Sequence, residues 1–249
     1  MILHENVPAI LMCGLAAILP APRADAQDAT EILNRTAETY RNIRTWDIRQ
    51  TVVTETLGAS ASRTERRERY AAVEGKHRWE QDSRMSVADG KYEWTYSSLT
   101  NRYSRREQDP VGGGPLPMGY WIPDAEKVKR ARLVREESVT VDGLDMPSYV
   151  VEIEHDFADR VVRGDPPEPP ETLWIDKSRY LVLKRERRTP PVFATQRIWT
   201  TTLSKVSINE PVPDAVFEFV PPAGAKLEEP PPGRAPETAP PAKSKRKKK

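Results

Sequence analysis

A chain of 249 residues with 37% hydrophobic and 31% charged content is long enough for one sizeable core, and six Trp and eight Tyr supply buryable surface that a disordered chain lacks. The single cysteine, Cys13, excludes an internal disulfide or a cysteine-based metal site. Residues 27–249 hold 38 bases against 35 acids, and six of those bases lie in Lys243–Lys249, so the basic character belongs to the C-terminal tail.

In chain order, the apolar run from Val7 to Pro22 is too short for a comfortable membrane span, and Ala24-Asp25-Ala26 closes it with the small-x-small pattern of a signal-peptidase site. Residues 1–26 therefore read as a signal peptide cleaved before Gln27, although Met1 to Pro8 lacks the usual Lys or Arg. Met12 stands where acylation of Cys13 would need a small residue. Asp28-Ala29-Thr30-Glu31 has capping-box spacing, and Ile32, Leu33, Ala37, Tyr40 and Ile43 recur at helical intervals, which predicts an amphipathic helix at the start of the mature chain.

After Arg44 the period becomes two, with Trp46, Ile48, Gln50 and Val52 sharing a face. Strands are then expected at 64–72, 76–81, 92–97, 102–107, 133–141, 148–155, 172–175, 180–187, 196–208 and 216–220. Asp89-Gly90 and Asp142-Gly143 are hairpin signals between them. Some eleven short strands in hairpin order favour a mainly β meander or barrel over a parallel sheet. Two loops, 109–123 with Gly112-Gly113-Gly114 and 158–170 with two Pro-Pro pairs, interrupt the rhythm. Beyond residue 228 a Pro-rich, charged tail (229–249) has no large apolar residue to bury and is expected to be disordered. The folded domain is thus 27–228.

No nucleophile–base constellation, metal spacing or phosphate loop is visible, so neither an enzyme nor a cofactor is expected. His77 and His155 each fall on a predicted strand and read as structural, and Glu152 and Glu154 alternate with Val151 and Ile153 as a wet face opposite a buried one. Aromatic residues at strand period stand out. Tyr92, Trp94 and Tyr96 share a face, with Trp79 before them and Tyr103 after, and such faces line either an ordinary core or a cavity for acyl chains. With Trp46, these are the candidate ligand-binding residues. Lys243–Lys249 could meet an anionic membrane surface, whereas export argues against nucleic acid.

Val87-Ala88-Asp89-Gly90-Lys91-Tyr92-Glu93-Trp94-Thr95-Tyr96 resembles the V-x-D-G-K-x-x-W-x-Y segment of LolA-like periplasmic lipoprotein carriers, and Phe217 to Ala225 is similar to that family's closing F-x-F-x-P-P-x-G-x run. The opening helix followed by Ile43 to Thr54 resembles the family's first helix and strand. The resemblance spans about residues 28–228. It implies an unclosed antiparallel β-barrel of about eleven strands with an N-terminal helix and short helical cover, and an apolar cavity that shelters lipoprotein acyl chains or another hydrophobic ligand. It also implies a periplasmic location and no catalysis, and a monomer is expected. Near Val73-Glu74-Gly75 the chain lacks the Arg-Pro pair of classical carriers, which points to the wider superfamily. The same fold occurs in envelope regulators of the MucB and RseB kind, which bind another polypeptide and carry a second domain.

Overall fold

The computed structural model describes residues 25–58, 60–108, 128–155, 168–191 and 195–228. Residues 1–24, which hold most of the expected signal peptide, the triglycine loop, most of the proline-rich loop and the tail lie outside the described residues.

One helix, α1 (Asp25–Arg41), precedes the strands β1 (Trp46–Leu57), β2 (Ser62–Val73), β3 (Lys76–Gln81), β4 (Arg84–Ala88), β5 (Tyr92–Ser97), β6 (Arg102–Glu107), β7 (Val128–Val141), β8 (Leu144–His155), β9 (Glu171–Asp176), β10 (Val182–Arg188) and β11 (Gln196–Ile208). A 3₁₀ turn (Asp214–Phe217) and the short β12 (Lys226–Leu227) end the domain. All twelve strands form a single sheet in the order β12-β6-β5-β4-β3-β2-β1-β11-β10-β9-β8-β7, antiparallel except where β12 runs parallel to β6. Among the described residues β12 and β7 are the free edges, so the sheet is unclosed.

Sequential antiparallel neighbours generate this order with two exceptions: β1 pairs with β11 as well as β2, which joins the two halves of the sheet at its centre, and β12 returns to the edge of β6. The turn signals act as expected. Asp142 and Gly143 both take positive φ (53° and 76°), the requirement of the two-residue turn that matches strand twist. At the β4–β5 turn Gly90 has φ 98°, and the Asp89 carboxylate accepts the amides of Lys91 and Tyr92 at 2.8 and 2.7 Å.

Helix α1 buries Ala29, Ile32 and Tyr40 against the sheet, in a core with Trp46, Ile48, Val151, Ile153, Leu173 and Ile175. Each such aliphatic side chain contributes roughly 2 kcal/mol by leaving water. Tyr40 meets Trp46 edge-on at 6.3 Å, and its hydroxyl accepts the Val182 amide at 3.3 Å. This fixes the end of α1 over the centre of the sheet.

Three expectations are corrected. The helix begins at Asp25 and ends at Arg41, so Ile43 packs into the core from the connection that follows it. The strand β4 was not anticipated, because its five residues offer only Met85 and Val87 on one face between two turns. The segment 216–220 is no strand. Pro211, Pro213, Pro221 and Pro222 strip ladder donors from its flanks, and the chain instead makes a 3₁₀ turn that buries Phe217.

Candidate functional site

Alternation through the pairing register assigns every side chain to one of two faces. On the side that carries α1, Trp46 stands opposite Ala72, which stands opposite His77, and His77 opposite Ala88. In the next row Ile48, Tyr70, Trp79 and Ser86 are successive cross-strand neighbours. Trp46, Ile48, Ala72 and Ala88 are buried, whereas Tyr70 and Trp79 are half-buried and pack at 6.4 Å between ring centres. The result is an aromatic and aliphatic floor across β1–β4, with α1 packed beside it against β7.

This floor holds buried polar atoms without a partner among the described residues. The indole Nε1 of Trp46, the indole Nε1 of Trp79 and the Oε1 of Gln50 are buried without a hydrogen-bond partner. Gln50 Nε2 donates to Glu68, whose other oxygen takes Arg66 Nε at 2.7 Å, and the Tyr70 hydroxyl reaches the same carboxylate at 3.1 Å. A buried polar group left unpaired costs about 1–3 kcal/mol, so two indole donors and an amide acceptor on one face are groups that a ligand with polar atoms can pair.

The rim of the floor is charged. Glu93 takes Arg106 at 2.5 and 2.9 Å and the Ser86 hydroxyl at 3.1 Å. Burial pushes the Glu93 carboxyl up, but the Arg106 hydrogen bond and charge more than offset this and leave it below its ordinary range. Burial pushes His77 down against the attraction of Glu93, which keeps the ring neutral at pH 7. At the far side Glu171 is buried between Arg185 and His155, with His155 Nε2 at 3.0 Å, so this histidine is held by a carboxylate.

The six aromatic residues singled out in the sequence do not line one cavity. Trp46 and Trp79 lie on the α1 side. Trp94 stands opposite Val87, which stands opposite Arg78, and this register puts Tyr92, Trp94 and Tyr96 on the other side together with Tyr103. There Phe219 stacks on Trp94 at 5.2 Å with planes 19° apart and packs on Tyr103 at 5.5 Å. Arg105 lies over the rings of Tyr92 and Trp94 at 4.7 and 5.3 Å. The unanticipated β4 is the cause, since it intervenes between Trp79 and Trp94 and sets their relative parity. Conversely Tyr70, Gln50 and Glu68 were not singled out, and the signal that could have found them is a Tyr and a Glu at strand spacing on the partner of the Trp46 strand.

In fold the chain resembles an uncharacterised conserved protein of Thermus thermophilus (16% identity, covering 81% of this chain and 99% of that one, TM-score 0.42). It also resembles a LolA-superfamily protein of Nitrosomonas europaea (14%, 77% and 97%, 0.30) and the lipoprotein LppX of Mycobacterium tuberculosis (12%, 75% and 98%, 0.35). No family model and no curated protein matches the chain.

Proposed function

We propose that this protein is an exported carrier or chaperone that binds the acyl chains of a lipoprotein, or another hydrophobic ligand, against the α1 side of its open sheet. The observation that carries this reading is the floor itself: Trp46, Tyr70, Ala72, Trp79 and Ala88 are contiguous, and the indole N–H groups of Trp46 and Trp79 have no partner among the described residues. Apolar walls with a few convergent polar groups are the usual composition of a small-molecule site. The unpaired N–H groups favour a ligand that pairs its chains with an acceptor such as an ester or carboxylate oxygen. Export is supported by the apolar run and the Ala-Asp-Ala site of the first 26 residues.

Delipidated protein titrated with palmitic acid is expected to show saturable quenching or shift of Trp emission, and mass spectrometry of the protein as purified is expected to find a retained acyl lipid. Trp79→Phe keeps an aromatic ring but removes the fused pyrrole with its unpaired donor, so it is expected to weaken palmitate binding about tenfold, the value of one hydrogen bond, while the protein remains folded in urea titration at low denaturant. No retained lipid together with no change in Trp emission would overturn the assignment.

A further inference from the structure

A concavity of about 720 Å³ opens mainly on the face opposite α1, walled there by Arg49, Arg67, Arg69, Glu80 and Tyr96, while Gln50, Glu68 and Arg84, which the register assigns to the α1 side, complete its lining. We propose that this groove is an anion site that takes a phosphate group, a second site centred on the face opposite the apolar floor.

The pairing register makes the case. Lys205 stands directly opposite Arg49, and Arg49 directly opposite Arg69, so three cations occupy one row across three adjacent strands. Arg67, two residues along β2 on the same face, adds a fourth. Like charges directly opposite one another destabilise a sheet, and this row persists with few counter-charges. Arg69 is held by Asp47 at 2.9 and 2.8 Å. Glu80 is occupied by Arg78 at 2.5 Å, and Glu65 by Arg63 at 3.9 Å. Glu68, which also contributes to the lining, is engaged by Gln50, Arg66 and Tyr70. Asp82 sits exposed in the β3–β4 turn at the mouth of the groove. Among the described residues Arg49, Arg67, Arg84 and Lys205 make no ion pair.

General basicity does not explain the cluster, because residues 27–242 hold 32 bases against 35 acids. The bulge between Arg49 and Gln50 leaves Ser204 unpaired in the ladder, and Ser204 and Thr51 bring hydroxyl donors to the same wall. Planar guanidinium forks match phosphate oxygens in pairs, and hydroxyls complete such a shell. The phosphate belongs either to a soluble phosphorylated solute or to the headgroup of an anionic phospholipid.

The experiment uses the chain without Lys243–Lys249, so that the basic tail cannot bind for the groove. Flotation with phosphatidylglycerol vesicles, with phosphatidylcholine as control, and calorimetric titration with inorganic phosphate are compared with the double variant Arg49→Glu/Arg67→Glu. Both positions are exposed, so the fold is expected to survive, and near-ultraviolet dichroism and palmitate binding on the other face verify it. Binding to phosphatidylglycerol alone, salt-dependent and reduced at least about tenfold in the variant, identifies a lipid headgroup. Phosphate binding that the variant loses to the same degree identifies a soluble ligand. Failure of both anions to bind, or equal binding by the variant, overturns the proposal. Because palmitate binding is read separately, loss of the apolar site and loss of the anion site are distinguishable.

Discussion

At the scale of single residues, two carboxylates hold turns, Asp89 the one between β4 and β5 and Asp176 the one after β9. Asp176, at the end of β9, accepts the Ser178 amide at 2.8 Å, the Ser178 hydroxyl at 2.7 Å and Arg179 Nε at 2.8 Å. Burial pushes its carboxyl up, but the bonds from Ser178 and Arg179 outweigh this and leave it below the ordinary carboxylate range. A group depressed in the folded state stabilises above its unfolded value, about 3.9, and that contribution is lost as pH falls from there through the folded value. Urea denaturation at pH 7 and at pH 3 is expected to show Asp176→Asn less stable than the parent at pH 7, with the gap narrowed at pH 3. An undiminished gap in acid would show that the turn does not depend on the charge. The residue scale is also where the sequence was least informative about the site. Trp79 and Trp94 look equivalent in composition, yet one carries an unpaired N–H on the α1 side and the other is covered by Phe219.

At the scale of elements, the turns are the parts most directly written in the sequence, because positive φ restricts the residue type. Gly143 has φ 76° and no atom within 4 Å of where a Cβ would stand, so Gly143→Ala carries a backbone penalty without a clash. It is expected to cost about 1 kcal/mol, read as a lower urea midpoint with an unchanged slope. A cost near zero would mean that the β7–β8 hairpin relaxes to another turn. The strands themselves were legible where alternation ran long, as in β1, β8 and β11. β4 escaped because five residues between two turns carry too little period to detect. Helix α1 was legible from the spacing of Ile32 and Tyr40, but its limits were not, since Ile43 continues the apolar pattern after the backbone has left the helix.

At the scale of the whole molecule, the C-terminal segment acts as a cover for the face that α1 leaves bare. Lys76 binds Asp214 at 2.7 Å, Arg78 Nη1 donates to the Val216 carbonyl at 3.1 Å, and Phe217 and Phe219 close over β3–β6 before β12 joins the edge of β6. Ending the chain at Pro213 is expected to cost at least about 3 kcal/mol and to raise binding of an apolar fluorescent dye several-fold, since two buried or half-buried phenyl rings are lost and Trp94 and Tyr103 are uncovered. A truncated chain with unchanged stability and no dye binding would show that the cover is dispensable. By itself the sequence determined the elements whose signal is local: the helical period of α1, the two-residue period of the long strands, the glycine turns and the mainly β class. Only the tertiary structure decided which aromatic residues share a face. Parity is carried through each hairpin by the register, so one undetected strand of five residues was enough to divide the expected six-residue site into a floor with unpaired donors and a separately covered cluster.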